Sequence, residues 1–457
     1  MSGWIDAGLD SGAGRVPSTG WPRSAGRVLT ACMLLLAAAA GWLVLTRPVH
    51  RIEGDFLQRE DRVAADDWLL DQLRNPIAEI RGRAYLALGR IQGRSAAGLL
   101  VQGMADPAPS VRAAAAFAAG NAFDAGLEGA PPEAPVAAAL AALLADDERL
   151  PVTRAVAALG KMGSLEAVPA IVGSAAPVAI SMTALMRMEA AAARDFVREY
   201  LDSDDQDSRW AAALAAGRLR LAGDAAVRAR LLPLLADDNG FVRAAALRAA
   251  AHAGPGEDLR ELVRGNLEHP DPKVRFEAAG VLERLAGRQR DAALPAAEPA
   301  LERPPPSAVR GPLLQGQDYQ RVAKTIGARL RMSTSLGDFD IELDYERAPL
   351  TSEHFRRLAG QGAFDGTRFF AVRPNGYGAA APGMQLIRPE LNPEPFLRGS
   401  LGLLRYGGAA GGGFFLCTTA LPLADGRYVN FGRLVSGDRR LDSIQAGTSV
   451  HSIRELP

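Results

Sequence analysis

A chain of 457 residues is longer than one hydrophobic core usually organises, at roughly 100–200 residues per domain, so at least two folded domains are expected. Its 52 basic and 52 acidic residues balance, which excludes the strongly basic character expected of a nucleic-acid binder. Two cysteines far apart in sequence, Cys32 and Cys417, offer neither a disulfide framework nor a CxxC metal site. Nearly all the basic charge is Arg, the exceptions being Lys161, Lys273 and Lys324. The first predicted element is an uncharged apolar run, Val28 to Thr46 (VLTACMLLLAAAAGWLVLT), close to the roughly 20 residues that span hydrocarbon as a helix. It reads as a single transmembrane anchor, 28–46, between a short cytoplasmic tail, 1–27, and a juxtamembrane linker, 47–55. The rival is a cleaved signal peptide, because small residues in LLLAAAAG would suit a peptidase. Arg15, Arg23 and Arg27 favour a cytoplasmic N-terminus, with the rest of the chain extracytoplasmic, in the periplasm if the envelope has two membranes.

Residues 56–287 repeat themselves, in NPIAEIRGRAYLALG, DPAPSVRAAAAFAAG, DDNGFVRAAALRAAAHAG and DPKVRFEAAGVLERLAG. Each copy opens on an Asn or Asp (Asn75, Asp106, Asp237, Asp271) able to start a helix. An Arg follows, at Arg81, Arg112, Arg154, Arg209, Arg243 and Arg275, with intervals of 31 to 34 residues recurring. Ala-rich second helices with Leu or Val at helical spacing bury a face only by stacking on their neighbours. The segment resembles HEAT repeats, and the resemblance implies an all-α solenoid with a protein partner on its surface. The repeated Arg is read as bonding carboxylates and carbonyls of neighbouring loops, with a ligand site as the rival.

Pro-rich sequence then marks a linker, 288–326. A mainly β domain follows over 327–457, with alternating apolar segments and a Gly337-Asp338 turn. Its landmarks are Thr334-Ser335, Gly337-Asp338, Ile341-Glu342-Leu343, Ala348-Pro349, Phe364-Asp365-Gly366-Thr367, RGSLGLLRYG and FFLCTTALPLADGRYVNFGRLVSG. In that order they resemble a cyclophilin-type peptidyl-prolyl cis-trans isomerase. The resemblance implies an eight-stranded antiparallel barrel capped by two helices, binding proline-containing polypeptides without a cofactor.

In that family Phe-His-Arg-Val follows the Asp-Gly turn, and its Arg donates toward the prolyl amide, whose uncatalysed rotation faces roughly 18–20 kcal/mol. Here the four positions read Phe369-Phe370-Ala371-Val372, which places Ala371 at the catalytic position. Arg373 is the candidate substitute, if strand alternation gives it the same face. The family's supporting glutamines fall on Ala379 and Gly413, and its pocket aromatic on Gly376. By the same resemblance Phe369, Phe370, Phe415, Leu423 and Tyr428 line the substrate pocket. The five histidines are scattered, none at metal-ligand spacing, so no metal is expected. His354 reads as a solvated surface residue. Two classes of function follow: a weakly active isomerase or folding factor for extracytoplasmic proteins, and a non-catalytic membrane-anchored scaffold that binds polypeptide through both domains.

Overall fold

Asn75, Asp106, Asp237 and Asp271 each turn the chain into a helix by accepting the backbone N–H two residues on, at 2.8–3.0 Å, the side-chain geometry that makes Asn and Asp turn residues. In the computed structural model, which describes residues 48–125, 134–254, 257–286, 313–373, 376–406 and 409–457, these turns open a row of stacked helices. They are preceded by α1 (Pro48–Arg62) and comprise α2 (Ala78–Gln92), α3 (Pro109–Ala122), α4 (Arg149–Met162), α5 (Val178–Arg187), α6 (Gln206–Arg218), α7 (Gly240–Ala250) and α8 (Pro272–Leu285). Each of α2 to α8 packs on the next, and shorter helices cover their other side.

The final Gly of the repeat allows this stack to close. A Cβ on Gly89 would lie 2.7 Å from the Cβ of Ala118, on Gly120 2.7 Å from the Cα of Ala158, and on Gly160 2.6 Å from the Cα of Ala184. Backbone therefore meets Ala with no space for a further atom. Gly120→Val should lower the chain's urea unfolding midpoint by the equivalent of about 1–3 kcal/mol, the usual cost of overpacking a filled interior.

The Arg ladder follows the expected pattern at three positions. Arg81 forks onto Asp106 at 2.8 Å and Arg112 onto Asp146, Arg209 donates through Nε to Asp237 at 2.9 Å, and each also donates to carbonyls of the turn before its own helix. Arg243 and Arg275 donate to turn carbonyls. Arg154 departs from the ladder and reaches out of the solenoid to the carbonyl of Pro393.

The C-terminal domain is one antiparallel sheet of eight strands in the order β3-β4-β6-β5-β7-β2-β1-β8. Its strands are β1 (Ala328–Thr334), β2 (Gly337–Leu343), β3 (Phe369–Arg373), β4 (Tyr377–Ile387), β5 (Ser400–Tyr406), β6 (Ala409–Cys417), β7 (Asn430–Ser436) and β8 (Val450–Glu455). Two expectations are corrected. The sheet is curled rather than fully zipped into a barrel: its edges meet at the Arg368–Ser449 bridge and at bonds of Phe369 with Thr448 and Gly447. The cause is β3, which is five residues long and shifts register between Phe369 and Ala371. One long helix caps the sheet, α10 (Pro349–Gly360), while the segment after β7 is a 3-10 turn, Asp438–Ser443. His354, on α10, is buried rather than solvated.

The boundaries drawn from sequence also shift. Residues 48–55, read as juxtamembrane linker, lie within α1. The end of the Pro-rich segment folds as α9 (Asp318–Ala323), and Leu314, Tyr319 and Val322 join the β-domain core together with Leu57 of α1. Asp61 of α1 accepts from the amides of Leu313 and Leu314 and from the Tyr319 hydroxyl at 2.8–3.2 Å. The tail 1–27, the anchor 28–46 and residues 287–312 of the linker lie outside the described residues. Among the described residues no helix is long and apolar enough to cross a membrane.

Candidate functional site

Three neighbouring strands bring the key positions into one row: Ala371 of β3 faces Ala379 of β4, which faces Phe415 of β6. The row is apolar. Phe415 is fully buried beneath the rings of Tyr377, Phe396 and Tyr428, whose centroids lie 5.9, 5.3 and 5.5 Å away, and Ala371 packs on the same cluster. Gly402 lies across the strand pair from Phe415, and a Cβ there would overlap its ring. Ala371, Ala379 and Gly413 carry no side-chain donor with which to polarise an amide.

The sequence-predicted pocket residues do not form one open surface. Phe369 belongs to the β-domain core, with its ring 6.3 Å from that of Phe414. Phe415 and Tyr428 are buried together in the aromatic cluster. Leu423 joins the solenoid core that contains Met182 and Met186. Phe370 alone of the five is exposed. Arg373 is exposed as well, and the register runs without a shift from Ala371 to Arg373, so alternation places the two on one face.

Sequence reasoning missed how the solenoid is joined to the β-domain. The solenoid helices α2 to α8 reach across to the β-domain and bind mainly its backbone. Arg90 donates to the carbonyl of Leu391 at 2.9 Å, Lys161 to that of Gly426 at 3.0 Å, and Arg187 to those of Pro422 and Asp425 at 3.0 and 2.8 Å. Arg427 returns a forked ion pair to Asp124 of the solenoid at 2.7–2.8 Å, and Lys273 meets Asp442 at 3.1 Å. Gly426 has φ +64° and its Cα faces Lys161 and Phe117, so neither the backbone nor the contact admits a side chain. A signal for this interface was present in composition: of three Lys in an Arg-rich chain, Lys161 and Lys273 both touch the β-domain. A compact ammonium fits where a planar fork does not.

Burial shapes the titration of this interface. It pushes the Lys161 ammonium well below its usual value, with Arg187 adding to the effect. It also raises Asp425 to about 6, although the Phe396 amide and the neighbouring Arg187 and Lys161 oppose the shift. Glu390, which accepts from the amides of Leu350 and Thr351 at the start of α10, is pushed up to about 7 by burial, against Arg90 and the Thr351 amide. A carboxyl with a raised native pKa holds its proton more tightly when folded. Its contribution is therefore complete below the unfolded value and is lost as pH rises through the folded one. Between pH 5 and pH 8, the window that the Glu390 and Asp425 values define, these two carboxyls lower the thermal midpoint as pH rises, while Lys161, its affinity for a proton reduced on folding, acts in the opposite sense. Glu390→Gln should flatten that slope, and an unchanged slope would remove Glu390 from the account.

The helical stack and the curled sheet with its remodelled face together define a HEAT-type solenoid fused to a cyclophilin-like domain. Comparison with known proteins agrees. Residues 66–160 and 228–316 match HEAT repeats, and residues 329–455 match the family described as cyclophilin type peptidyl-prolyl cis-trans isomerase/CLD. A peptidyl-prolyl cis-trans isomerase of Helicobacter pylori is 33% identical over 148 residues, covering 29% of this chain and 89% of the relative. One from Synechococcus elongatus is 28% identical over 135 residues, covering 27% and 92%. A solved cyclophilin-type isomerase of Cryptosporidium parvum is 21% identical, covering 29% of this chain and 98% of that one, with a TM-score of 0.27. Through its C-terminal domain the chain belongs to the cyclophilin-type peptidyl-prolyl cis-trans isomerase family.

Proposed function

We propose that this chain is a membrane-anchored, extracytoplasmic polypeptide-binding factor whose cyclophilin domain has little isomerase turnover. The observation that carries the reading is the row Ala371, Ala379, Phe415: the catalytic Arg position holds a methyl group, and the wall meant for the proline ring is fully buried under Tyr377, Phe396 and Tyr428. Removing one preorganised donor to a transition state costs roughly 10²–10³ in rate, and here its polar neighbours are absent as well. A second reading, in which weak turnover on extracytoplasmic clients survives, is favoured by Arg373, which shares a strand face with Ala371. The apolar run Val28–Thr46 supports the anchor and the extracytoplasmic placement of both domains.

Two measurements test the proposal. The full chain should fractionate with membranes, whereas a soluble form beginning near Gly41 would establish cleavage instead. Detergent-solubilised chain should bind fluorescently labelled, reduced and carboxymethylated lactalbumin, a permanently unfolded polypeptide, in a saturable way. Absence of binding would remove the polypeptide-binding function.

A further inference from the structure

Between the solenoid and the β-domain runs an open cleft lined by side chains of both. Two helix faces form one wall. Trp210 and Leu214 stand one turn apart on α6, and Phe241 stands on the neighbouring α7. Tyr377 and Leu421 of the β-domain form the other wall. The lining is apolar and aromatic, but its charged members are all cationic: Arg218, Arg248 and Arg373.

These three arginines are not equivalent. Arg218 pairs with Glu189 and Arg248 with Glu277, so their charge is already met. Arg373 has no carboxylate partner among the described residues and lies beside the Tyr377 hydroxyl. The cleft therefore has one uncompensated positive charge next to an aromatic floor, which favours an occupant with an apolar group followed by a carboxylate. Arg373 is the last residue of β3, whose backbone favours a polypeptide as the occupant. Strand β3 is an edge of the sheet, and beyond Phe369 its outer side pairs with no strand among the described residues. An open strand edge of this kind accepts an extended chain.

We infer that the cleft between α6, α7 and the β-domain is a polypeptide site that takes a large apolar side chain followed by an acidic residue, with Arg373 as the reader of the acid. This rests on the polypeptide-binding function proposed above and moves its seat from the buried Phe415 wall to the domain junction. Specificity here is a difference of affinities, set by an unpaired guanidinium that favours a carboxylate and repels an ammonium.

The test uses the full chain in detergent and three fluorescein-labelled peptides: Gly-Leu-Phe-Glu-Glu-Gly, the same sequence with both Glu replaced by Gln, and the same with both replaced by Lys. Wild type should bind the acidic peptide most tightly. Arg373→Glu should weaken that binding by about tenfold or more and reverse the preference toward the Lys peptide, and Phe241→Ala should weaken the acidic and Gln peptides by about tenfold. Both side chains are partly solvated, and circular dichroism confirms that each variant is folded. If wild type, Arg373→Glu and Phe241→Ala bind the acidic peptide alike, the cleft is not the site and polypeptide binding lies elsewhere. If wild type binds none of the three peptides and no unfolded lactalbumin, this inference and the proposed function fall together.

Discussion

Leu423→Asp should detach the β-domain from the solenoid and lower the chain's resistance to urea by on the order of 4 kcal/mol, an effect of the size seen when a charge is buried without a partner. Leu423 is 8% exposed and, among the described residues, is the one β-domain residue inside the solenoid core formed around Met182, Met186 and Leu247. The position is often Trp or His in the family the domain resembles, and a larger ring there would have to displace the solenoid. Around it, Arg187 donates to the Pro422 and Asp425 carbonyls and Lys161 to that of Gly426, so the whole turn is held by its backbone. Amide hydrogen exchange should rise in the segment from Thr419 to Tyr428 and in α5. Leu423→Met, which conserves volume, should cost less than about 1.5 kcal/mol. If Leu423→Asp leaves exchange and midpoint at wild-type values, the two domains are not joined through this turn in solution.

Ala371→Arg is expected to raise isomerisation of an Ala-Pro peptide by no more than a few-fold, although it restores the residue the family uses. A donor accelerates amide rotation only when its surroundings hold it at the place where charge changes, and a loosely held guanidinium loses most of the roughly 10²–10³ that such a donor supplies. Ala371 packs on the apolar cluster that contains Tyr377, Ala379 and Phe415, and that cluster carries no carboxamide to orient a guanidinium. The pair Ala371→Arg, Gly413→Gln should gain more than either change alone while remaining below an ordinary cyclophilin, because Phe415 stays under its aromatic cover. Recovery of full family activity by Ala371→Arg alone would show that the cover opens readily and that one side chain was the only loss.

Much of this molecule was legible in its sequence where the signal was local. The Asn and Asp turns, the pairing of Arg81, Arg112 and Arg209 with the next turn's Asp, and the Gly337 turn between β1 and β2 all follow from short spacings. The reading of Ala371 as the family's donor position rests on the flanking Phe369 and Val372, which set the frame of the resemblance. The junction was not legible. Its bonds join residues some 169 to 303 positions apart, and most accept at backbone carbonyls, of Leu391, Pro422, Asp425 and Gly426, which every residue type possesses. Arg154 looked like another rung of the ladder for the same reason: nothing in its repeat distinguishes a carbonyl of its own turn from that of Pro393. The burial of Phe415 was equally hidden, since it depends on Phe396, from a loop outside the matched motifs.

The central claim, that the cyclophilin domain has kept its fold and lost most of its chemistry, is tested most directly by the rate of cis-to-trans conversion of one Ala-Pro peptide in a protease-coupled assay. The full wild-type chain, Arg373→Ala and an ordinary cyclophilin would be compared at equal concentration. The account predicts that wild type and Arg373→Ala coincide and lie at least about 10²-fold below the ordinary enzyme. Wild-type turnover close to that of the ordinary enzyme, abolished by Arg373→Ala, would contradict it and assign the reaction to Arg373.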